Sequence, residues 1–361
     1  MQIVQSFFLL IFVGLLVTLS EQMPSSSSGG SNHNAFSIGS NINSTDLLIQ
    51  ESIDNLSQKI EDFKSISSRD RPFVTLAYAQ SIDGKIALIL DQPKHSADDR
   101  AMTSSNFAIS GPESLRLTHA LRSIHDAILV GSNTLSIDNP RLNNRLWPPN
   151  DPGKNIVRKQ PIPIILDTHL RHIRSLGKNI RAQNPIVCCS EEAYQQALEE
   201  GYCDPNKAET NKESNHEHII SNSNNEDFLS SVKLLPCDTK IISNGLCSSE
   251  SKEKRIVLDL QDVLSKLHLK LGIRSLMIEG GASVLSQFVS EIYEDNCGED
   301  KYNNQALFDC LCVTISPKLL GANGLASLSS SYRGNKPGAN IGRIKCIVLG
   351  NDCVLFVHRK Q

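Results

Sequence analysis

The segment Ser275-Leu-Met-Ile-Glu-Gly-Gly-Ala-Ser-Val-Leu places a carboxylate, Glu279, at the end of an apolar run and follows it with Gly280 and Gly281. Paired glycines let a backbone approach a ligand closely. A helix starting after them aims unbonded N–H groups beyond the sheet edge, which favours a phosphate. The same residues also suit a plain strand-to-helix turn, with glycine for steric room. The pattern G-x-G-x-x-G occurs nowhere in the chain, so that dinucleotide fingerprint is absent.

A second candidate is Ala127-Ile-Leu-Val-Gly-Ser-Asn-Thr-Leu-Ser-Ile-Asp. Here a buried strand is expected to run into a Gly-Ser-Asn-Thr loop, with Asp138 and Arg145 shortly after. Hydroxyls and a carboxylate can bind ribose or amide groups, and an arginine can clamp a phosphate. A solvated loop with an Asx-turn at Asp138–Pro140 is the other reading. A third segment ends a strand at Gln80–Ser81 and turns at Asp83–Gly84. A fourth runs from Asn106 to Gly111 into a helix carrying Arg122, where an anion would be at home. His119 and His125 read as ordinary surface or core histidines. His216-Glu-His218 has no third ligand nearby in sequence, and no metal is expected.

Alternating strands and helices must position these residues. Pro72–Gln80 reads as a strand, and Pro112–Ser123 as a helix with proline in its first turn. Ala127–Val130, Ile162–Leu166, Ile186–Cys189, Ile256–Leu258 and Ser275–Ile278 are short apolar runs that suit parallel strands buried on both faces. Ser190 and Asp259 read as helix N-caps, and Gly201 and Gly272 as stops. Leu311–Ile315 is a further strand, and Cys346–Leu349 and Val354–His358 form a closing hairpin around Gly350. The result is an α/β fold with a mostly parallel sheet and an antiparallel C-terminal edge.

The chain has 361 residues, 39% hydrophobic and 21% charged, which is ordinary for a globular protein. A net charge of −3 and 5% aromatic residues give no reason to expect nucleic acid. The ten cysteines form no C-x-x-C pair and suit a reducing, cytoplasmic setting. Residues 1–22 contain an apolar segment, read as a signal, an anchor or the product of a mis-assigned start. Residues 23–70 read as a disordered or weakly helical extension. The folded domain is expected over 71–361, with polar insertions near 203–255 and 294–305.

Taken in order, these motifs resemble the riboflavin-pathway pyrimidine reductase family. In bacteria it is the C-terminal half of a deaminase–reductase, and in fungi and archaea it stands alone. The matching pieces are Ala77-Tyr-Ala-Gln-Ser-Ile-Asp-Gly, Ala127–Leu142, Pro161-Ile-Pro-Ile-Ile-Leu-Asp-Thr, Ile278-Glu-Gly-Gly-Ala and Ile315-Ser-Pro-Lys-Leu-Leu-Gly. The resemblance implies a dihydrofolate-reductase-like fold with helices on both sheet faces, usually as a homodimer. It implies NADPH as cofactor, with Thr134, Asp138, Thr168, Gly281, Ala282, Ser283, Val284, Leu285 and Ala108 on the cofactor side. Gln287 and Arg171 extend that set. Asn106, Arg122, Leu142, Arg145 and Glu279 would hold the substrate, with Glu279 also the catalytic candidate. The H-x-E and P-C-x-x-C zinc motifs of the deaminase half are absent. The implied substrate is therefore the diamino-ribosylamino-pyrimidinone phosphate taken before deamination. The deaminated compound, a pterin, or nucleotide binding without turnover are the alternatives. Bacterial members often place a lysine near Ala77, where this chain has no basic residue.

Overall fold

Residues 43–66, 68–88, 108–151, 155–173, 176–201, 232–243, 254–290, 307–327 and 342–359 are described by the structure, a computed structural model. The apolar segment near the start, Asn106, the His216/His218 pair and the stretch 294–305 lie outside them.

The elements in chain order are α1 (Ser44–Lys64), β1 (Phe73–Ser81), β2 (Lys85–Leu88), α2 (Pro112–Ile124), β3 (Ala127–Gly131), α3 (Ser132–Asp138), β4 (Ile162–Leu166), α4 (Lys178–Arg181), β5 (Ile186–Ser190) and α5 (Glu191–Glu199). They continue with β6 (Lys233–Cys237), β7 (Thr239–Ser243), β8 (Lys254–Leu258), α6 (Leu260–Leu271), β9 (Ser275–Gly280), α7 (Ala282–Ser290), β10 (Cys310–Ser316), β11 (Gly324–Ala326), β12 (Gly342–Leu349) and β13 (Asp352–Arg359). Nine strands form the main sheet, in the order β12-β13-β10-β1-β9-β3-β4-β5-β6. From β10 to β6 every neighbouring pair is parallel, while β13 and β12 close the edge antiparallel.

Side-chain alternation sends each parallel strand into two cores, as expected for apolar runs covered on both faces. Val74, Leu76, Leu276 and Ile278 pack with Val263, Leu264 and Leu267 of α6 and Phe288 of α7. Phe73, Ala77 and Met277 pack with α1 and α2. Further along that second face, Ile128, Val130, Ile165 and Val187 pack with Leu135 of α3 and Tyr194 of α5. The architecture is the α/β class expected from the sequence. No described helix is long and apolar enough to cross a membrane.

Three expectations need correcting. Residues 44–64, read as part of a disordered or weakly helical extension, form a 21-residue helix, capped where Asn43 Oδ1 accepts from Thr45 N–H at 3.3 Å. Its stripe of Ile49, Ile53, Leu56, Ile60 and Phe63 is buried at 3% exposure or less, so the unit that carries the sheet includes this helix and does not start near Arg71. The stripe was hidden by the polar residues on the other faces, yet its spacing of four and three is that of an amphipathic helix. Second, the polar stretch 203–255 contains ordered sheet from residue 232 on. β6 is the outermost parallel strand, and Pro236 is tolerated there because an edge strand leaves N–H positions unpaired. Residues 256–258 belong to β8, which pairs antiparallel with β7 in a separate ribbon rather than as a buried parallel strand. Third, the segment after Gly131 is the short helix α3 instead of a loop.

Candidate active site

The C-terminal ends of β1, β3, β4 and β9 open onto one cleft of ≈ 1450 Å³. In parallel sheets this edge is where ligands sit, because the strand-to-helix turns and helix starts converge there.

The turn after β9 is the centre of the arrangement. Gly280 has φ +110°, and the Gly280–Gly281 peptide is cis. Gly281 N–H donates to Thr134 Oγ1 at 2.9 Å. A Cβ on Gly281 would lie 2.8 Å from that oxygen, and one on Gly131 would lie 3.0 Å from Val284 Cγ2. The β3–α3 and β9–α7 turns are thus pressed together, and glycine is what lets them meet. In the first turn of α7, the N–H groups of Val284 and Leu285 both reach Gly281 O at 3.0 Å. The earlier N–H groups, of Ala282 and Ser283, have no helix carbonyl to bond, and both residues line the cleft.

Glu279 faces α2. Arg122 Nε and Nη2 donate to its two carboxylate oxygens at 2.6 and 2.7 Å, and Arg122 Nη1 donates to Asn143 O at 2.9 Å. Burial works against the Arg122 charge, but the facing carboxylate outweighs it and raises the guanidinium above its ordinary value. Arg145 is exposed, and its side chain donates to Asn143 Oδ1 at 3.3 Å. Burial, then Arg122 and Arg141, hold Arg145 below its ordinary value. Its backbone N–H donates to Nδ1 of the buried His119 at 3.1 Å.

Thr134, Asp138, Thr168, Arg171, Glu279 and residues 281–287 all line the cleft. Burial raises the Asp138 carboxyl. Thr168 is fixed because its carbonyl accepts from Ser190 N–H at 2.9 Å. Other expected residues are placed differently. Leu142 is 1% exposed in the core beside α3, at φ +50°. Arg122 is engaged by Glu279 rather than open to a phosphate. Ala108 accepts from Lys318 Nζ through its carbonyl, and its neighbour Ile109 lines the cleft. The sequence reading missed Tyr78, whose phenol is pushed up by burial, and also His169, His172, Ile241, Ile256 and Arg255. Tyr78 lay within a motif already singled out. Ile256 lay in an apolar run read as a strand, and the others had no local signal.

Residues 72–297 match the family described as RibD C-terminal domain. The chain belongs to this family. Over 262 residues it is 31% identical to the 2,5-diamino-6-ribosylamino-4(3H)-pyrimidinone 5′-phosphate reductase of Candida glabrata, covering 71% of this chain and 78% of that protein. The riboflavin biosynthesis protein RibD of Aquifex aeolicus is 27% identical, over 83% of this chain and 61% of its own length. Among solved structures, RibD of Acinetobacter baumannii superposes with a TM-score of 0.50 at 20% identity, covering 82% of this chain and 60% of that one. That likeness shows a shared fold. The RibD C-terminal domain thus accounts for the β1–α7 core that builds the cleft. This chain spans about three fifths of the RibD proteins it matches.

Proposed function

We propose that this protein reduces the ribosylamino side chain of 2,5-diamino-6-ribosylamino-4(3H)-pyrimidinone 5′-phosphate to the ribitylamino form with NADPH, a step of riboflavin biosynthesis. The observation that carries the reading is one cleft whose lining joins a phosphate-favouring helix start to the half-buried Glu279, itself held by the buried Arg122 behind it. Its family membership and the Candida reductase, matched over most of its length, support the substrate.

The residues present fit a nicotinamide dinucleotide. Glycine at 281 lets the β9–α7 turn pack directly on Thr134, and the α7 start offers N–H groups to a phosphate. A pocket for one drug-sized ligand is roughly 300–1,000 Å³, so this cleft has room for a cofactor and a substrate together. Thr134, Asp138, Thr168 and residues 281–285 would hold the cofactor, which when bound supplies a hydride for C1′ of the opened sugar. The protein's own part is alignment, which can contribute about 7–11 kcal/mol to lowering a barrier. Arg122 fixes the plane of the Glu279 carboxylate, leaving the remaining lone pairs for sugar hydroxyls. With Arg122 occupied, we assign the substrate phosphate to Arg145, which does not line the cleft but is exposed and close enough to Arg122 and Glu279 to respond to their charges.

The assembly we propose is a homodimer, and the setting is the cytoplasm. The free thiols at Cys188, Cys189, Cys237, Cys310 and Cys312 suit a reducing compartment. The test is loss of nicotinamide absorbance with the full chain, NADPH and the diamino substrate. Oxidation matched to ribityl product is expected, with the deaminated substrate and dihydrofolate slower. Inertness toward the diamino substrate would overturn the assignment.

A further inference from the structure

Part of the cleft wall stands outside the main sheet. β2 and β11 pair antiparallel as a separate two-stranded ribbon. Ile86, Ala87, Leu88 and Leu325 of this ribbon line the cleft. Ile86 and Leu88 alternate onto one face and are half-buried, whereas Ala87 and Leu325, opposed on the other face, are exposed. Two strands alone make a sheet of marginal stability, so the place of this ribbon depends on what holds its base.

Asp83 stands at that base. Its Oδ1 accepts from the Ser81 hydroxyl and from Leu320 N–H at 3.1 Å, and its Oδ2 accepts from Gly321 N–H at 2.8 Å. Ser81 Oγ in turn accepts from Lys85 N–H, the first of β2, at 3.0 Å. One carboxylate thus joins the turn leaving β1 to the turn entering β11, through bonds of the strong, charge-assisted kind. Two backbone bonds run beside it, from Ile82 N–H to Lys318 O at 3.0 Å and from Ser327 N–H to Gly84 O at 3.1 Å. Lys318 Nζ donates to Ala108 O, next to Ile109 of the cleft lining, which ties the same turn to the segment entering α2. α2 carries Arg122, so this is the substrate end of the cleft.

We propose that Asp83 is a positioning residue for the reduction: by tying the β1–β2 turn to the β10–β11 turn it seats the β2–β11 ribbon, so that Ile86 and Leu88 wall the substrate end of the cleft. It acts through the ribbon and not on the reacting atoms. This rests on the reductase reading above. Without the carboxylate the two backbone bonds still pair the turns, but the angle of the ribbon is no longer fixed, and a displaced wall loosens the substrate it should align.

The experiment is steady-state kinetics on the full-length protein with the diamino-ribosylamino substrate, beside NADPH titration by fluorescence. Asp83→Asn keeps the shape, but its amide accepts at one oxygen where the carboxylate accepts at two, so Leu320 N–H or Gly321 N–H is left facing an NH2 group. The expected result is a fall in kcat/KM of about tenfold or more, mostly through a higher substrate KM, with the NADPH Kd within about twofold of wild type. The double variant Ile86→Ala/Leu88→Ala, which changes the wall and leaves the carboxylate in place, should raise the same KM and also spare NADPH. A merely structural role would lower kcat by the share of enzyme unfolded and leave KM as it is. That pattern in Asp83→Asn, or a wild-type KM in it, would overturn the role while leaving the reductase reading intact. Should Asp83→Asn not fold, the double variant decides: a wild-type substrate KM there would remove the wall, and the role of Asp83 with it. A wild type inert toward the substrate would overturn the reductase reading and this role together.

Discussion

Glu279 gives both oxygens to one guanidinium, and this sets what its replacement should do. Glu279→Gln keeps the shape but leaves Arg122, whose side chain is 9% exposed, facing a neutral amide. Losing one member of a buried pair leaves the other charge uncompensated. Turnover should fall about 100-fold or more, while NADPH affinity moves by less than about threefold. Single-turnover rates and dinucleotide titrations on the same preparation separate the two effects. Turnover at the wild-type rate would remove Glu279 from the reaction. This residue was legible in the sequence because an apolar run, a carboxylate and two glycines are contiguous. Its partner was legible only as an arginine near a helix start, since nothing local reports a contact 157 positions away. Leu142 shows what resemblance does not report: this motif position has its side chain in the core.

At the scale of elements, the parallel strands were readable because burial on both faces leaves unbroken apolar runs. The β7–β8 ribbon was not, because a ribbon with one exposed face mixes Ile241 and Ile256 with Thr239, Lys240 and Arg255, and composition alone resembles a loop. Helix α1 is the other case, and it can be tested. Its buried stripe faces α2, the helix that holds Arg122. Ile53→Ala should cost about 2–5 kcal/mol, since deleting a buried branched chain leaves a cavity. A chain cut to begin at Ser68 should lose more stability and much of its activity. Denaturant midpoints measured alongside turnover check both. An unchanged midpoint in Ile53→Ala would mean that α1 is dispensable to the fold.

The response of the whole molecule to acid follows from its histidines. His125 is fully buried, with Nδ1–H donating to Leu121 O at 2.7 Å and Nε2 accepting from Thr75 Oγ1 at 2.9 Å. It ties the end of α2 to β1 in its neutral form, and burial lowers it to about 4. Burial, then Arg122, Arg145 and Arg158, lower His119 to about 3. His119 accepts at Nδ1, so its proton sits on Nε2, which is buried without a partner. Burial, then Lys59 and Lys345, lower His358 to about 4. In each case the folded value lies below the unfolded one of about 6.5. The unfolded chain therefore takes up protons first, and stability, complete above about pH 6.5, falls as pH drops toward 4. For His125 alone the loss approaches about 3 kcal/mol. Asp126, held low chiefly by Lys64 and Lys159 against the pull of burial, adds its loss at lower pH, from the ordinary carboxylate range downward. Urea midpoints should thus be flat above about pH 7 and decline between about 6.5 and 4. Activity should fall with them, because α2 and the Arg145 segment are what His125 and His119 hold. The variant His125→Gln, less stable at neutral pH, should show a shallower decline. A midpoint equal at pH 7 and 4.5 would show that these rings titrate without resistance from the fold.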